Sequence, residues 1–92
     1  EIMETKYLNE DLKFLEGVRV YVSYGRKQNI IFNEFEFDIR VADTGEKILF
    51  LTSSDTSNYI ELYICDMINC FMCNDNIYLK FTDSKISIKK VA

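Results

Sequence analysis

The sequence predicts an α+β fold: an antiparallel sheet of about five strands with one main helix packed on one face. Two observations lead to this prediction. Several short segments alternate apolar and polar residues, as half-buried strands do, and residues 59–73 repeat apolar residues with the period of a helix. The length of 92 residues suits a single domain, 1–92, with residues 1–5 expected to form a flexible N-terminal tail.

The elements are expected in the order [α]-β-β-β-α-β-β. Residues 6–16 place leucines at i, i+4 and i+7, with Asn9 as an N-cap and Gly17 as a terminator. A short helix is the first interpretation of this segment, and an extended arm is the alternative. Residues 18–24 alternate valines with other residues and predict the first strand.

Residues 29–42 show the strongest alternation in the chain. From Phe35 onward the apolar side chains share one face, but Phe32 falls on the opposite parity. We therefore expect either a bulge near Asn33 or a first stretch that is buried on both sides. A hairpin turn at 43–46, in which Gly45 adopts a positive φ, leads to a returning strand at 47–52.

The main helix is predicted over residues 59–73, where apolar residues recur at i, i+3, i+4, i+7, i+8 and i+11. Asn58 and Glu61 have the spacing of a capping box, and Asn74 is expected to end the helix in the left-handed conformation. Two alternating strands, 76–82 and 85–91, follow, with their apolar residues facing inward.

Composition removes most catalytic chemistry. The chain has no His, so it has no Ser-His-Asp triad, Cys-His dyad or His-ligated metal. Its three isolated glycines form no phosphate-binding loop. We expect no enzymatic activity, no cofactor and no metal. No stretch resembles a signal peptide or a membrane-spanning segment, and a cytoplasmic location is predicted.

The cysteines have a spacing that resembles an iron–sulfur motif. Cys65, Cys70 and Cys73 form C-x4-C-x2-C, as in plant-type ligands, but no fourth cysteine follows. The last two also form a C-x-x-C pair, at the end of a predicted helix where the dipole raises a thiol pKa. We expect thiols that pack in the core and on the helix surface.

Charge is unevenly distributed along the chain. Residues 34–76 sum to −7, whereas 17–33 and 77–92 each sum to +3. On the predicted hairpin the acidic side chains form a ridge that could hold a basic partner, with an ordinary solubilising face as the alternative. Tyr21 or Tyr24 would anchor the partner. The ridge consists of Glu34, Glu36, Asp38, Asp43 and Glu46.

The function predicted is that of a small acidic, non-enzymatic binding protein that occludes the nucleic-acid-binding surface of a larger partner. In size, charge and bias toward residues of AT-rich codons, the chain resembles the small acidic inhibitors that phages and mobile elements encode. That resemblance implies a counter-defence role in the cytoplasm of a bacterial host.

Three other functions stay open. The first is a homo-oligomeric structural or accessory subunit that associates through a strand edge or through the Leu62, Cys65 and Met72 side of the predicted helix. A small-molecule sensor would need a pocket lined by Phe37, Phe50 and Met67. Direct nucleic-acid binding is disfavoured by the acidic total and the lack of a recognition motif, although a basic patch could form. Its members would be Arg26, Lys27, Lys80, Lys85, Lys89 and Lys90.

Overall fold

The computed structural model describes residues 5–54 and 58–91 and consists mainly of antiparallel sheet. Eight strands and one short helix are present in this part of the chain. The helix is α1 (Thr5–Lys13), and a single 3₁₀ turn covers Ile64–Asp66. The strands are β1 (Val20–Tyr24), β2 (Lys27–Phe32), β3 (Phe35–Val41), β4 (Lys47–Ser53), β5 (Tyr59–Tyr63), β6 (Met67–Cys73), β7 (Asn76–Phe81) and β8 (Lys85–Lys90).

The strands form two sheets rather than the predicted one. The larger sheet has the order β2-β1-β8-β7-β6, and the smaller has the order β3-β4-β5. All pairings are antiparallel. The prediction of about five strands in one sheet is therefore wrong, because the chain carries two amphipathic sheets whose apolar faces contribute to one core.

The core draws on both sheets and on α1. In the β7–β8 hairpin, Ile77 lies opposite Ile88 and Leu79 opposite Ile86, and all four side chains are buried. This pairing confirms the inward set that alternation predicts for the last two strands. From the smaller sheet Leu49 and Leu51 are fully buried.

Residues near the N-terminus form a helix, as the first interpretation held. Leu8, Leu12 and Leu15 are fully buried, and α1 contacts β6. Asn9 lies inside the helix and is not its N-cap, because the helix already begins at Thr5. Gly17 adopts φ +78° after the last helical turns, as expected of a terminator. Of the predicted tail, 1–5, Thr5 belongs to α1, and residues 1–4 lie outside the described residues.

The parity change in residues 29–42 marks the passage of the chain from one sheet to the other. β2 ends at Phe32 and β3 begins at Phe35, and both phenylalanines are fully buried. A backbone bridge holds the junction: the Phe35 N–H donates to the Val18 carbonyl (3.0 Å) and the Gly17 N–H to the Phe35 carbonyl (2.7 Å). Two strands that each bury one face on the same core require this reversal.

The predicted main helix over 59–73 is wrong, and the capping box at Asn58 is wrong with it. The segment is β5, the 3₁₀ turn and β6. In β5 the buried residues Ile60 and Leu62 alternate with exposed ones. Asn74 does adopt a positive φ (52°), but together with Asp75 (65°) it forms the two-residue turn of the β6–β7 hairpin.

Within the described ranges, no helix is long and apolar enough to cross a bilayer.

Candidate protein-binding surface

The outer face of the smaller sheet presents charged and aromatic side chains in a regular array. Register places three residues in each of three rows across β3, β4 and β5. We call this array the acidic face. Its rows are Glu36, Thr52 and Tyr59; Asp38, Phe50 and Glu61; and Arg40, Ile48 and Tyr63.

The acidic face is open to solvent and mixes carboxylates with rings. Tyr59 and Tyr63 on the edge strand β5 are 62% and 45% exposed. Glu36, Asp38 and Glu61 are also exposed. Tyrosine offers a large contact area with a polar tip, and carboxylates accept hydrogen bonds from Arg and Lys. The array therefore has the side-chain chemistry of a protein-binding surface.

Arg40 moderates the charge at the centre of the acidic face. Its Nε lies 2.8 Å from Asp38 Oδ2, and its guanidinium carbon lies 4.8 Å from the centre of the Phe50 ring. Both charged side chains are more than half exposed, so the ion pair contributes less than about 1 kcal/mol to stability. Its effect is to neutralise Asp38 and to cover Phe50, which leaves Glu36 and Glu61 as the uncompensated charges of the array.

Glu34 lies beside the acidic face, at the start of β3. Its N–H donates to Ser53 Oγ (3.3 Å), and its carbonyl accepts the Ser54 N–H (3.2 Å). The Ser54 hydroxyl also donates to the Glu34 carboxylate. These contacts join the β3 entrance to the end of β4. Glu34 thus extends the predicted ridge, but its carboxylate is already bound within the chain.

The β3–β4 turn carries Asp43 and Glu46 to one end of the sheet. The turn closes through the Ala42 N–H, which donates to the Glu46 carbonyl (2.8 Å), and Gly45 adopts φ +89°, as predicted. Glu46 accepts a hydrogen bond from Thr44 Oγ1 (3.0 Å) and lies 4.0 Å from Cys65 Sγ. Negative charge therefore continues from the turn to the 3₁₀ segment.

The structure separates the two candidate tyrosine anchors from the acidic face. Tyr21 lies on the outer face of the larger sheet, opposite Lys89 in the register. Tyr24 is half-buried, packs against the core and lines a depression of about 310 Å³ beside β5, with Tyr59 and Glu61. Of the two, only Tyr24 approaches the array, and it does so from the side of its edge strand.

Sequence reasoning missed Tyr59, Glu61 and Tyr63, because it placed them on a helix. The signal was present in the alternation of 59–63, where every second residue is apolar, and in the β-favouring aromatic and branched residues of that stretch. Phe50 was missed as a surface residue. It was expected in a pocket with Phe37 and Met67, but it faces outward while Phe37 packs against the core, so that pocket does not form.

The three thiols occupy different environments. Cys65 and Cys73 are exposed, whereas Cys70 is buried and its thiol donates to Asp11 Oδ2 (3.7 Å). Among the described residues no three Cys, Asp or Glu side chains come together to hold a metal ion. Desolvation and the Asp11 carboxylate raise the pKa of Cys70 to about 12, which keeps it protonated at neutral pH.

No protein-family model, curated protein or solved structure matches the chain significantly.

Proposed function

We propose that the chain is a small non-catalytic binding protein that engages the basic surface of a larger partner through the acidic face. The observation that supports this best is the arrangement of the sheet, in which Glu61 lies between the exposed Tyr59 and Tyr63 on one face of β5. Glu36 lies in the same row as Tyr59, with Thr52 between them. Carboxylates would steer and pair with Arg and Lys of the partner, while tyrosines would supply the buried contact area.

The mechanism proposed is occlusion. A partner surface that binds phosphates is rich in Arg and Lys, and an array of carboxylates occupies the same side chains. The negative β3–β4 turn, with Asp43 and Glu46, extends the charge beyond the sheet and would widen the contact. A role in phage or mobile-element counter-defence fits a protein of this size and charge, and it rests on that resemblance alone.

The test compares variants of equal charge change. Purified wild-type protein, the Glu36→Gln/Glu61→Gln variant and the control Glu10→Gln/Glu16→Gln variant are immobilised and exposed to a lysate of the native host. Mass spectrometry then quantifies what each retains. The control removes two exposed carboxylates from α1 and the segment after it.

We expect one host protein to be retained equally by wild type and by the Glu10→Gln/Glu16→Gln control. The Glu36→Gln/Glu61→Gln variant should not retain it. Its retention should also fall sharply between about 0.05 and 0.5 M salt, because the Debye screening length decreases from about 14 to about 4 Å over that range. The captured protein, once purified, should release a labelled oligonucleotide when wild type is added. Equal loss with both variants, or a nucleic-acid complex that wild type does not displace, would refute the mechanism.

A homo-oligomeric accessory subunit is the second candidate, and one observation favours it. The edge strand β6 contains no charged residue and exposes Ile68 (50%), Phe71 (48%) and Met72 (37%). Uncharged apolar edges are templates for pairing with another chain. The helix side predicted for this contact does not form, because Leu62 is a buried strand residue.

Light scattering at increasing concentration tests this second candidate. A β6-mediated dimer should dissociate in the Ile68→Lys variant and persist in the Val41→Lys control, which alters an exposed apolar position on β3. A monomer at every concentration would remove this candidate.

A further inference from the structure

The five strands of the larger sheet carry five lysines and neither Asp nor Glu. Three of these lysines lie on the outer face of that sheet: Lys80 and Lys85 face each other across β7 and β8, and Lys89 lies opposite Tyr21. We call this outer face the basic face. The net charge of −4 conceals it, because the carboxylates of the described residues lie in the smaller sheet, the helix and the connecting segments.

An aromatic pair lies on the β6–β7 side of the basic face. The rings of Phe71 and Tyr78 stack with centroids 5.1 Å apart and an interplanar angle of 18°. Phe71 lies on the edge strand β6, so among the described residues no other strand lies beyond its ring. On the other side of Tyr78 the register places Ser87 and then Ser23, whose side chains are small.

This combination of small and large side chains leaves an open depression beside the rings. Its volume is about 450 Å³, and its lining includes Ser23, Ser87, Phe71, Tyr78, Lys80 and Lys85. Planar bases stack on such rings regardless of sequence. Lys85 and Lys89 flank Ser87 on β8, so they lie on opposite sides of the row that contains the two rings. They are about 13 Å apart along the strand.

The lysine pair offers two positive charges to an anionic ligand. Lys80 and Lys85 are direct cross-strand neighbours, and like charges in that position repel. Neither has an acidic neighbour on its own strand or on the adjoining strands. Asp83 in the intervening turn lines a different depression, with Glu61 and Asp66. A phosphate group between the two ammonium groups would relieve the repulsion.

We propose that the basic face binds single-stranded nucleic acid, with bases stacked on Phe71 and Tyr78 and phosphates held by Lys80, Lys85 and Lys89. This function is separate from the one proposed for the acidic face, which lies on the other sheet. The sequence disfavoured it on net charge, a quantity that averages the two faces. Stacking favours a single strand over a duplex, whose bases are covered.

The experiment measures fluorescence anisotropy of a labelled oligothymidylate of about 12 nucleotides, a length within the range that small stacking domains cover. At about 50 mM salt we expect a Kd of the order of 10 µM and a logarithmic salt slope near −2, from about 0.7 per phosphate contact. The Lys80→Gln/Lys85→Gln variant should bind at least about tenfold more weakly and lose about 1.4 of that slope. The single variant Lys85→Gln should also weaken binding and lose about 0.7 of the slope. Its control is Lys47→Gln, which removes one positive charge from the smaller sheet and should bind like wild type.

The aromatic requirement is tested separately. Tyr78→Val keeps a strand-favouring residue and should weaken binding about tenfold, whereas Tyr63→Val on the acidic face should not. A duplex of the same length should bind more weakly than the single strand and should not respond to Tyr78→Val.

The proposal fails if the oligonucleotide does not bind at low salt, if Lys47→Gln weakens binding as much as Lys85→Gln, or if the duplex binds as well as the single strand. A further contrary result would come from light scattering. The proposal fails if the protein forms oligomers that the oligonucleotide does not disperse, and if these oligomers are abolished equally by Lys80→Gln/Lys85→Gln and by Glu36→Gln/Glu61→Gln. In that case the acidic face of a second copy occupies the basic face. Loss of oligonucleotide binding would leave the test of the acidic face unaffected.

Discussion

The three cysteines should differ widely in reactivity toward a thiol reagent. Cys73 and Cys65 are exposed, whereas Cys70 is only 7% exposed and points into the core opposite Leu79. At pH 8 in the native protein we expect Cys73 to react first, Cys65 more slowly and Cys70 last. The order follows from the burial of Cys70 and from the raised pKa values of Cys65 and Cys70, since the thiolate is the nucleophile.

The magnitude for Cys70 comes from its pKa. Desolvation is the larger cause and the Asp11 carboxylate, 3.7 Å from the sulfur, is the second; together they raise the pKa from an ordinary 9.0 to about 12. At pH 8 that shift lowers the thiolate fraction about a thousandfold. For Cys65, desolvation and then the carboxylates of Asp66 and Glu46 also raise the pKa.

The assay uses variants that keep one cysteine each and follows release of the coloured thiolate from an aromatic disulfide. The Cys70-only protein should react at least about a thousandfold more slowly when native than in denaturant. Asp11→Asn should speed that reaction and leave the fold intact, whereas Glu10→Gln, an exposed neighbour, should not change it. Equal rates for Cys70 in the native and denatured chain would show that β6 does not bury it, and the reasoning would be wrong.

Three further predictions concern stability and charge. Leu12→Ala should lower the free energy of unfolding by about 3 kcal/mol in urea titrations, because it leaves a cavity under α1. The exposed control Lys13→Ala should change the free energy of unfolding by less than about 0.5 kcal/mol. Gly45→Ala should cost about 1 kcal/mol in thermal denaturation, since φ is +89° there. Arg40→Ala should change stability by less than about 1 kcal/mol but raise the association rate with a basic partner, as it frees Asp38; an unchanged rate in stopped flow would contradict this.

Strands that bury one face and expose the other were predictable from the chain alone. The β7–β8 hairpin is the clearest case, because alternation gives both its limits and its inward residues. The β3–β4 hairpin is similar, and Gly45 identified its turn. In both hairpins the turn and the apolar period agree, and local information is sufficient when these two signals coincide.

The segment 59–73 was not predictable in this way, for a physical reason. Its buried residues are Ile60, Leu62, Ile64, Met67 and Cys70. Ile60, Leu62 and Ile64 are two residues apart, as along a strand, whereas Ile64, Met67 and Cys70 are three apart. The longer spacing arises because the 3₁₀ turn and then an irregularity between Met67 and Asn69 shift the register. Such shifts imitate the mixture of threes and fours that a helix shows. The alternation of 59–63 is too short to outweigh that pattern, and the pairings with β4 and β7 decide between helix and strand.

The candidate surfaces depend on the same tertiary information. The chain passes between the sheets twice within the described residues, at 33–34 and through the 3₁₀ turn. The acidic central segment therefore builds the smaller sheet and contributes only the uncharged strand β6 to the larger one. The segments on either side, each rich in bases, come together as β1, β2, β7 and β8 of the larger sheet. A linear charge pattern of +3, −7 and +3 becomes two outer faces of opposite sign. Because the acidic face has a net negative charge, the basic face carries lysines, and both expose rings, the two should bind different partners, and salt should weaken both complexes.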